Sequence, residues 1–301
     1  MMIAKDSSSA RACFRHLLFA LLLFIPANLF AQTQAPASPS PQPAPSPAPT
    51  PERNFFKNIL QDQKAIWTYP FRLRGDDARW LIPFGVSTAA LIGTDRRTAD
   101  AIRDENTLLT TSRNVSRIGS VEALGGLTAS FYLIGRARND RRLRETGVLG
   151  AEALVDSLIV SDSLKLITQR PRPLEDDGRG RFWRGGKSFP SGHAMNSWSV
   201  ATVIANEYGN NRLIKFSAYG LAAMISVSRY TGHKHFLSDI FVGSVIGYGI
   251  GRYVYRTRHD PNISSGDEFV PQRSRSKLFP SIMPEYDRRA RAYGAILAWS
   301  F

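Results

Sequence analysis

The chain has 301 residues, a formal net charge of +14 and 43% hydrophobic residues. That apolar content excludes a disordered chain, and the length allows one sizeable domain with tails. The charge suits an anionic lipid surface or a phosphorylated substrate. With no nucleic-acid-binding module and with the arginines dispersed among helical segments, no nucleic-acid partner is expected.

Residues 1–31 read as a secretory signal peptide. Lys5, Arg11 and Arg15 form a basic start, Leu17 to Ile25 an apolar run, and small Ala31 precedes Gln32 at the cleavage point. An uncleaved anchor helix is the alternative. Cys13, the single cysteine, falls inside this segment, so the mature chain has no thiol for a disulfide or a metal. Residues 32–53 carry eight prolines from Pro36 to Pro51 and read as an extended tether.

From Asn54 the pattern is helical, and residues 54–258 read as the folded domain, with a core over 80–255. Apolar segments run over Trp80–Gly93, Gly119–Gly135, Thr146–Thr168, His193–Tyr208, Leu213–Ser228 and Phe236–Tyr255. No period-two alternation is long enough for a sheet. Thr94–Ile118 is polar and reads as an amphipathic helix or a surface loop. Residues 259–301 read as a C-terminal tail. Its terminal Phe301 is a feature of outer-membrane barrel strands, but one strand makes no barrel, and a short packed tail is expected.

Three stretches carry the chemistry: Lys165-x6-Arg172-Pro173, then Pro190-Ser191-Gly192-His193, then Ser228-Arg229-x5-His235-x3-Asp239. Lys165 falls in the last turn of one predicted helix, which Pro171 and Pro173 stop. His193 falls in the first turn of the next, Ser228 and Arg229 close a third, and His235 opens a fourth. Helices joined by short turns alternate direction. All four termini therefore meet at one end of an all-α bundle, which becomes the expected active site.

Asp239, four residues after His235, shares its helix face. A carboxylate there accepts the Nδ1–H and leaves Nε2 as a nucleophile. His193 follows a Pro-Ser-Gly turn at a helix start, where backbone N–H groups bind anions and Gly192 permits close approach. It is placed to protonate a leaving alkoxide. Ser191 adds a hydroxyl, and Lys165, Arg172 and Arg229 supply positive charge where negative charge builds up on the equatorial oxygens of phosphorus in the transition state. His233 competes for the nucleophile, but only His235 has both the Arg229 spacing and the Asp239 partner. Arg170, Arg179, Arg181, Arg184 and Lys187 sit in the same connecting stretch and are read as including solvated bystanders. Phe182, Trp183 and Trp198 line an apolar pocket or serve packing.

At these residues the chain resembles the type 2 phosphatidic acid phosphatase superfamily, which also contains bacterial class A acid phosphatases and vanadium-dependent haloperoxidases. All three motifs are unbroken. The resemblance implies an all-helical domain and a phosphohistidine intermediate at His235, with His193 as acid. It also implies a phosphate cradle of Lys165, Arg172, Ser191, Gly192 and Arg229, and no metal or other cofactor. The expected activity is hydrolysis of a phosphomonoester or pyrophosphate, of a lipid in the first instance. The alternatives are a soluble periplasmic acid phosphatase, a haloperoxidase and an inactive lipid-binding protein.

The sequence points to membrane association without deciding it. Trp80–Gly93 is shorter than the ~20 residues of a span, and Thr146–Thr168 carries Glu152, Asp156 and Asp162, which lipid tolerates only if they face the bundle interior. Gly and Ala in Phe236–Tyr255 suit close helix packing. Arg136, Arg138, Arg141, Arg142 and Arg144 crowd one loop. Placed in the cytoplasm by the positive-inside rule, that loop puts the site on the exterior face. The expected location is the cell envelope, either the inner membrane with the site facing the periplasm or the soluble periplasm. The sequence leaves the oligomeric state open.

Overall fold

The computed structural model describes residues 51–102, 105–266, 281–287 and 292–298. The expected signal peptide and residues 32–50 of the tether lie outside them. The last tether residues form a 3-10 turn over Pro51–Asn54, where Glu52 Oε1 lies 2.7 Å from Arg144 Nε.

The fold is all-α. Eight helices follow one another: α1 (Phe55–Thr68), α2 (Ala78–Asp100), α3 (Asn106–Ile118), α4 (Val121–Arg138), α5 (Arg141–Thr168), α6 (Gly192–Glu207), α7 (Arg212–Thr231) and α8 (Leu237–Arg258). The polar stretch Thr94–Ile118 is helical on both sides of a short break, ending α2 and supplying α3. Residues to Thr257 form one compact unit and those from Arg258 a second. The second contains a short helix α9 (Pro261–Gly266) and an antiparallel pair, β1 (Ser281–Asp287) with β2 (Ala292–Ala298), Ser281 opposite Ala298. This hairpin is a correction, because the sequence reading placed no sheet in the chain.

Local chemistry sets the helix ends. Ser120, Asp140 and Asn211 accept hydrogen bonds from backbone N–H groups at the starts of α4, α5 and α7. Gln169 ends α5 in the left-handed conformation at φ 44°, and two prolines follow before any further turn can form.

The core lies between α5, α6 and α8. Leu149, Ala153 and Val160 pack with Met195 and Val203 and with Ile250 and Val254. Burying each Val, Leu, Ile or Met side chain there contributes about 1.5–3 kcal/mol. α8 approaches α6 through Gly243, Gly247 and Gly251, one per turn. Added Cβ atoms would stand 2.6, 2.2 and 2.2 Å from the backbone oxygens of Ser191, Met195 and Ser199, also one per turn. Glycine here lets two backbones touch, and that contact fixes the start of α8 against the start of α6.

Of the three acidic residues of α5 singled out from the sequence, two face the bundle interior and the third does not. Glu152 and Asp156 are buried, accepting hydrogen bonds from Asn58 and Gln63 of α1, while Asp162 is exposed beside Lys165. Large apolar side chains face outward on α2 (Trp80, Ile82, Val86) and α7 (Leu213, Phe216, Met224). One stretch among the described residues, Asn106–Arg138, is long and apolar enough to cross a membrane, and 22% of its most apolar window is buried.

Candidate active site

Four helix termini bring the expected residues together. Lys165 is in the last turn of α5, Ser191 and Gly192 begin α6, Arg229 is in the last turn of α7, and Asp239 is in the first turn of α8. His235 lies two residues before α8 begins, in the turn it shares with buried His233, which has φ 52°. The backbone N–H of Ser191 donates to the Asp239 carbonyl at 3.0 Å, tying the second motif to the third. Lys165 Nζ lies over the start of α6, 3.0 Å from where a Gly192 Cβ would stand. Any larger residue at 192 would displace that ammonium group.

Two polar atoms here are buried with no hydrogen-bond partner among the described residues: Ser191 Oγ and Arg229 Nε. Arg229 is otherwise held by Nη1 donating to Ser116 Oγ of α3. Burial, and after it the charge of nearby Arg172, lowers the pKa of Arg229 to about 10. A pair of guanidinium groups and an unpartnered hydroxyl at a helix start form a site that favours an anion.

His235 is buried. Its Nδ1 lies 2.8 Å from the Ser188 carbonyl oxygen and 3.6 Å from Asp239 Oδ2. This corrects the expected partner. The nearer acceptor is a backbone carbonyl, and because a carbonyl cannot donate, Nδ1 carries the proton and Nε2 the lone pair. Asp239 stands behind, its Oδ2 accepting from Ser188 Oγ at 2.5 Å and from the Phe236 N–H at 2.9 Å. Burial lowers the proton affinity of His235, against the pull of Asp239. His193 is lowered to about 3, by burial first and then by the charges of Arg229, His235 and Lys165.

Arg170 is no solvated bystander. It is 1% exposed, and every arm of its guanidinium is used. Nη1 donates to Asp239 Oδ1 and Ser238 Oγ, Nη2 to Asp95 Oδ2, each at 2.7 Å, and Nε to the Gly180 carbonyl at 2.8 Å. Its central carbon sits 4.3 Å from the Phe236 ring centre and 5.0 Å from that of Phe182. Phe182 thus packs under Arg170. Trp198 is tied to Ser226 and stacked near Tyr219, while Trp183 is exposed. Sequence reasoning missed Asp95, Ser188, Ser238 and Ser116. The paired Arg-Pro steps at Arg170–Pro173 were the one local hint at Arg170, and Asp95 had none.

Residues 146–263 match the family model described as the PAP2 superfamily. Over this segment the helical core is similar to the PAP2 superfamily. Among curated proteins, the chain is 30% identical over 143 residues to a PA-phosphatase related-family protein of Dictyostelium discoideum, covering 42% of this chain and 52% of that protein. It is 26% identical over 120 residues to the lipid A 1-phosphatase of Porphyromonas gingivalis, covering 38% and 26%. The chain thus spans about half the length, or less, of these curated relatives. Among solved structures, it is similar to Aquifex aeolicus LpxE at 23% identity and a TM-score of 0.44, over 55% of this chain and 93% of that one. The PAP2 segment contains all three motifs, from Lys165 to Asp239; Asp95 and Ser116 lie before it.

Proposed function

We propose that this protein is a lipid phosphatase that hydrolyses a phosphomonoester or pyrophosphate through a phosphohistidine at His235. The observation that carries the reading is the His235 imidazole, held through Nδ1 by the Ser188 carbonyl so that Nε2 is the free nucleophile. Beside it, Arg229 and Ser191 keep unpartnered polar atoms.

Nε2 of His235 attacks phosphorus and forms the N–P bond as the bond to the leaving oxygen breaks. His193 gives its proton to that oxygen. Lys165, Arg172 and Arg229, with Ser191 and the N–H groups at the start of α6, take up the negative charge on the remaining oxygens. Water then attacks the phosphoenzyme, His193 accepts its proton, and inorganic phosphate leaves. The free imidazole of His193 is neutral over most of the pH range. Burial holds it so, with the charges of Arg229 and Lys165 adding to the effect, and a phosphate dianion offsets those charges and thereby readies it as the acid.

The outward apolar side chains of α2 and α7 and the segment Asn106–Arg138 support a site reached from a membrane, and the named activities of the relatives support a lipid substrate. The test is phosphate release from lipid and water-soluble phosphates by native protein and His235→Ala, in detergent with chelator present. Release from lipids, abolished in the variant and insensitive to chelator, is expected. Release from soluble esters alone would make this an acid phosphatase. Activity restored only by added metal would overturn the mechanism.

A further inference from the structure

Asp95 lies 75 residues before Arg170 and 144 before Asp239 in the sequence, yet the three carboxylate and guanidinium groups form one buried line ending at His235. Both oxygens of Asp95 are engaged. Oδ1 accepts the Ser238 N–H at 3.1 Å, and Oδ2 accepts from Arg170 and from Ser238 Oγ. Asp95 is 2% exposed, Arg170 1% and Asp239 0%.

We propose that Asp95 and Arg170 are positioning residues for phosphoryl transfer: together they hold the Asp239 carboxylate in place and set the charge that His235 feels. Stability alone is a poor reason for this arrangement, because a buried ion pair is often no better than an apolar replacement of the same volume. Its placement is more telling. Arg170 takes one oxygen of Asp239, leaving the other to Ser188, the Phe236 N–H and His235. Arg170 alone would neutralise Asp239. Asp95 balances Arg170, so one net negative charge remains behind the imidazole to stabilise the cationic phosphohistidine. The balance matters because the other charged groups near His235 are positive, namely Arg229 from α7 and Arg172 from the loop after α5, while His193 from α6 is neutral.

α2, which carries Asp95 and precedes the PAP2-matched residues, thereby becomes part of the working apparatus. The same helix carries Trp80, Ile82 and Val86 on its outward surface and ends beside α7, where Tyr230 donates to the Thr98 carbonyl.

The inference rests on His235 as the nucleophile, and the test separates the two claims. Asp95→Asn is nearly isosteric and removes one negative charge. It is expected to lower kcat on the order of tenfold to a hundredfold, as misplacement by about 1 Å does, with KM within about twofold. The acid limb of kcat/KM should move to lower pH, because the imidazole protonates less readily, and Asp95→Glu should restore most of the loss. Arg170→Lys keeps the charge but cannot reach four partners at once; it should lose kcat without moving that limb.

The titration of the His235 ring nitrogens, followed by 15N NMR on the full chain, reads the same shift without turnover. A folded Asp95→Asn protein with native kcat and an unmoved His235 titration overturns the proposal, as does a folded Arg170→Lys protein with native kcat. A native protein that releases no phosphate, while Asp95→Asn still moves the titration, sinks the phosphatase reading and leaves the pair standing.

Discussion

Gly243 touches the backbone of Ser191: a Cβ at 243 would stand 2.6 Å from the Ser191 carbonyl oxygen. This contact joins the helix that carries Asp239 to the one that starts at the anion site. Gly243→Val is therefore expected to push the two helix starts apart. Overpacking of this kind costs about 1–3 kcal/mol. The thermal midpoint should fall, and phosphate release should fall further than the loss of folded protein explains. Unchanged release per folded molecule would show that the site tolerates the shift.

Ser191 separates stability from function. Its buried hydroxyl has no hydrogen-bond partner among the described residues, so Ser191→Ala removes a group that costs stability when unpaired. The thermal midpoint should hold or rise. A hydrogen bond to a charged phosphate is worth about 1.5–3 kcal/mol, so kcat/KM should fall roughly tenfold to a hundredfold. A parallel loss of midpoint and activity would count against a hydroxyl kept for substrate.

His193 is expected to take up a proton when phosphate binds. Its proton affinity is lowered to about 3 by burial and by the positive charges around it. A bound dianion cancels part of that field, so the affinity rises on binding. Calorimetry of binding of sulfate, a tetrahedral dianion with no proton of its own to release near pH 5, in two buffers of different ionisation enthalpy, should show proton uptake, and His193→Asn should remove the His193 share. Proton release in the native protein would reverse the sign of the argument.

The motif spacing made the site legible because the short turns from α6 to α7 and from α7 to α8 make those helices alternate direction; the longer connection over 169–191 still returns the chain from α5 to the same end, and the four termini meet. Other features were hidden by long-range packing. Arg170 reads as one more arginine in a basic loop, since nothing local reveals Asp95 across the bundle. His235 and Asp239 have ideal helical spacing, which suggested a direct bond. The helix begins only at Leu237, and the preceding turn hands Nδ1 to the Ser188 carbonyl. The glycines of α8 signalled close packing correctly, but their register against Ser191, Met195 and Ser199 needed coordinates.

A second titration lies far along α6 from the site. Glu207 ends that helix, buried, and burial with the charge of Glu145 raises it to about 8 despite Arg142. Its folded state holds a proton that the unfolded chain gives up in the ordinary carboxylate range. Stability from this group is therefore complete below about pH 4 and declines as pH rises to about 8. Thermal midpoints measured from pH 5 to 8 should fall for the native protein and fall less for Glu207→Gln. Equal slopes would remove Glu207 as the source.

The nucleophile itself is the point on which everything else depends. Rapid-quench experiments with a lipid phosphate labelled in its phosphoryl group, stopped in alkali, where a phosphohistidine survives, would trap the intermediate for peptide mapping. Label on His235, absent from His235→Ala, is the expected result. Label on His233, or turnover in His235→Ala with no labelled histidine, would contradict the mechanism.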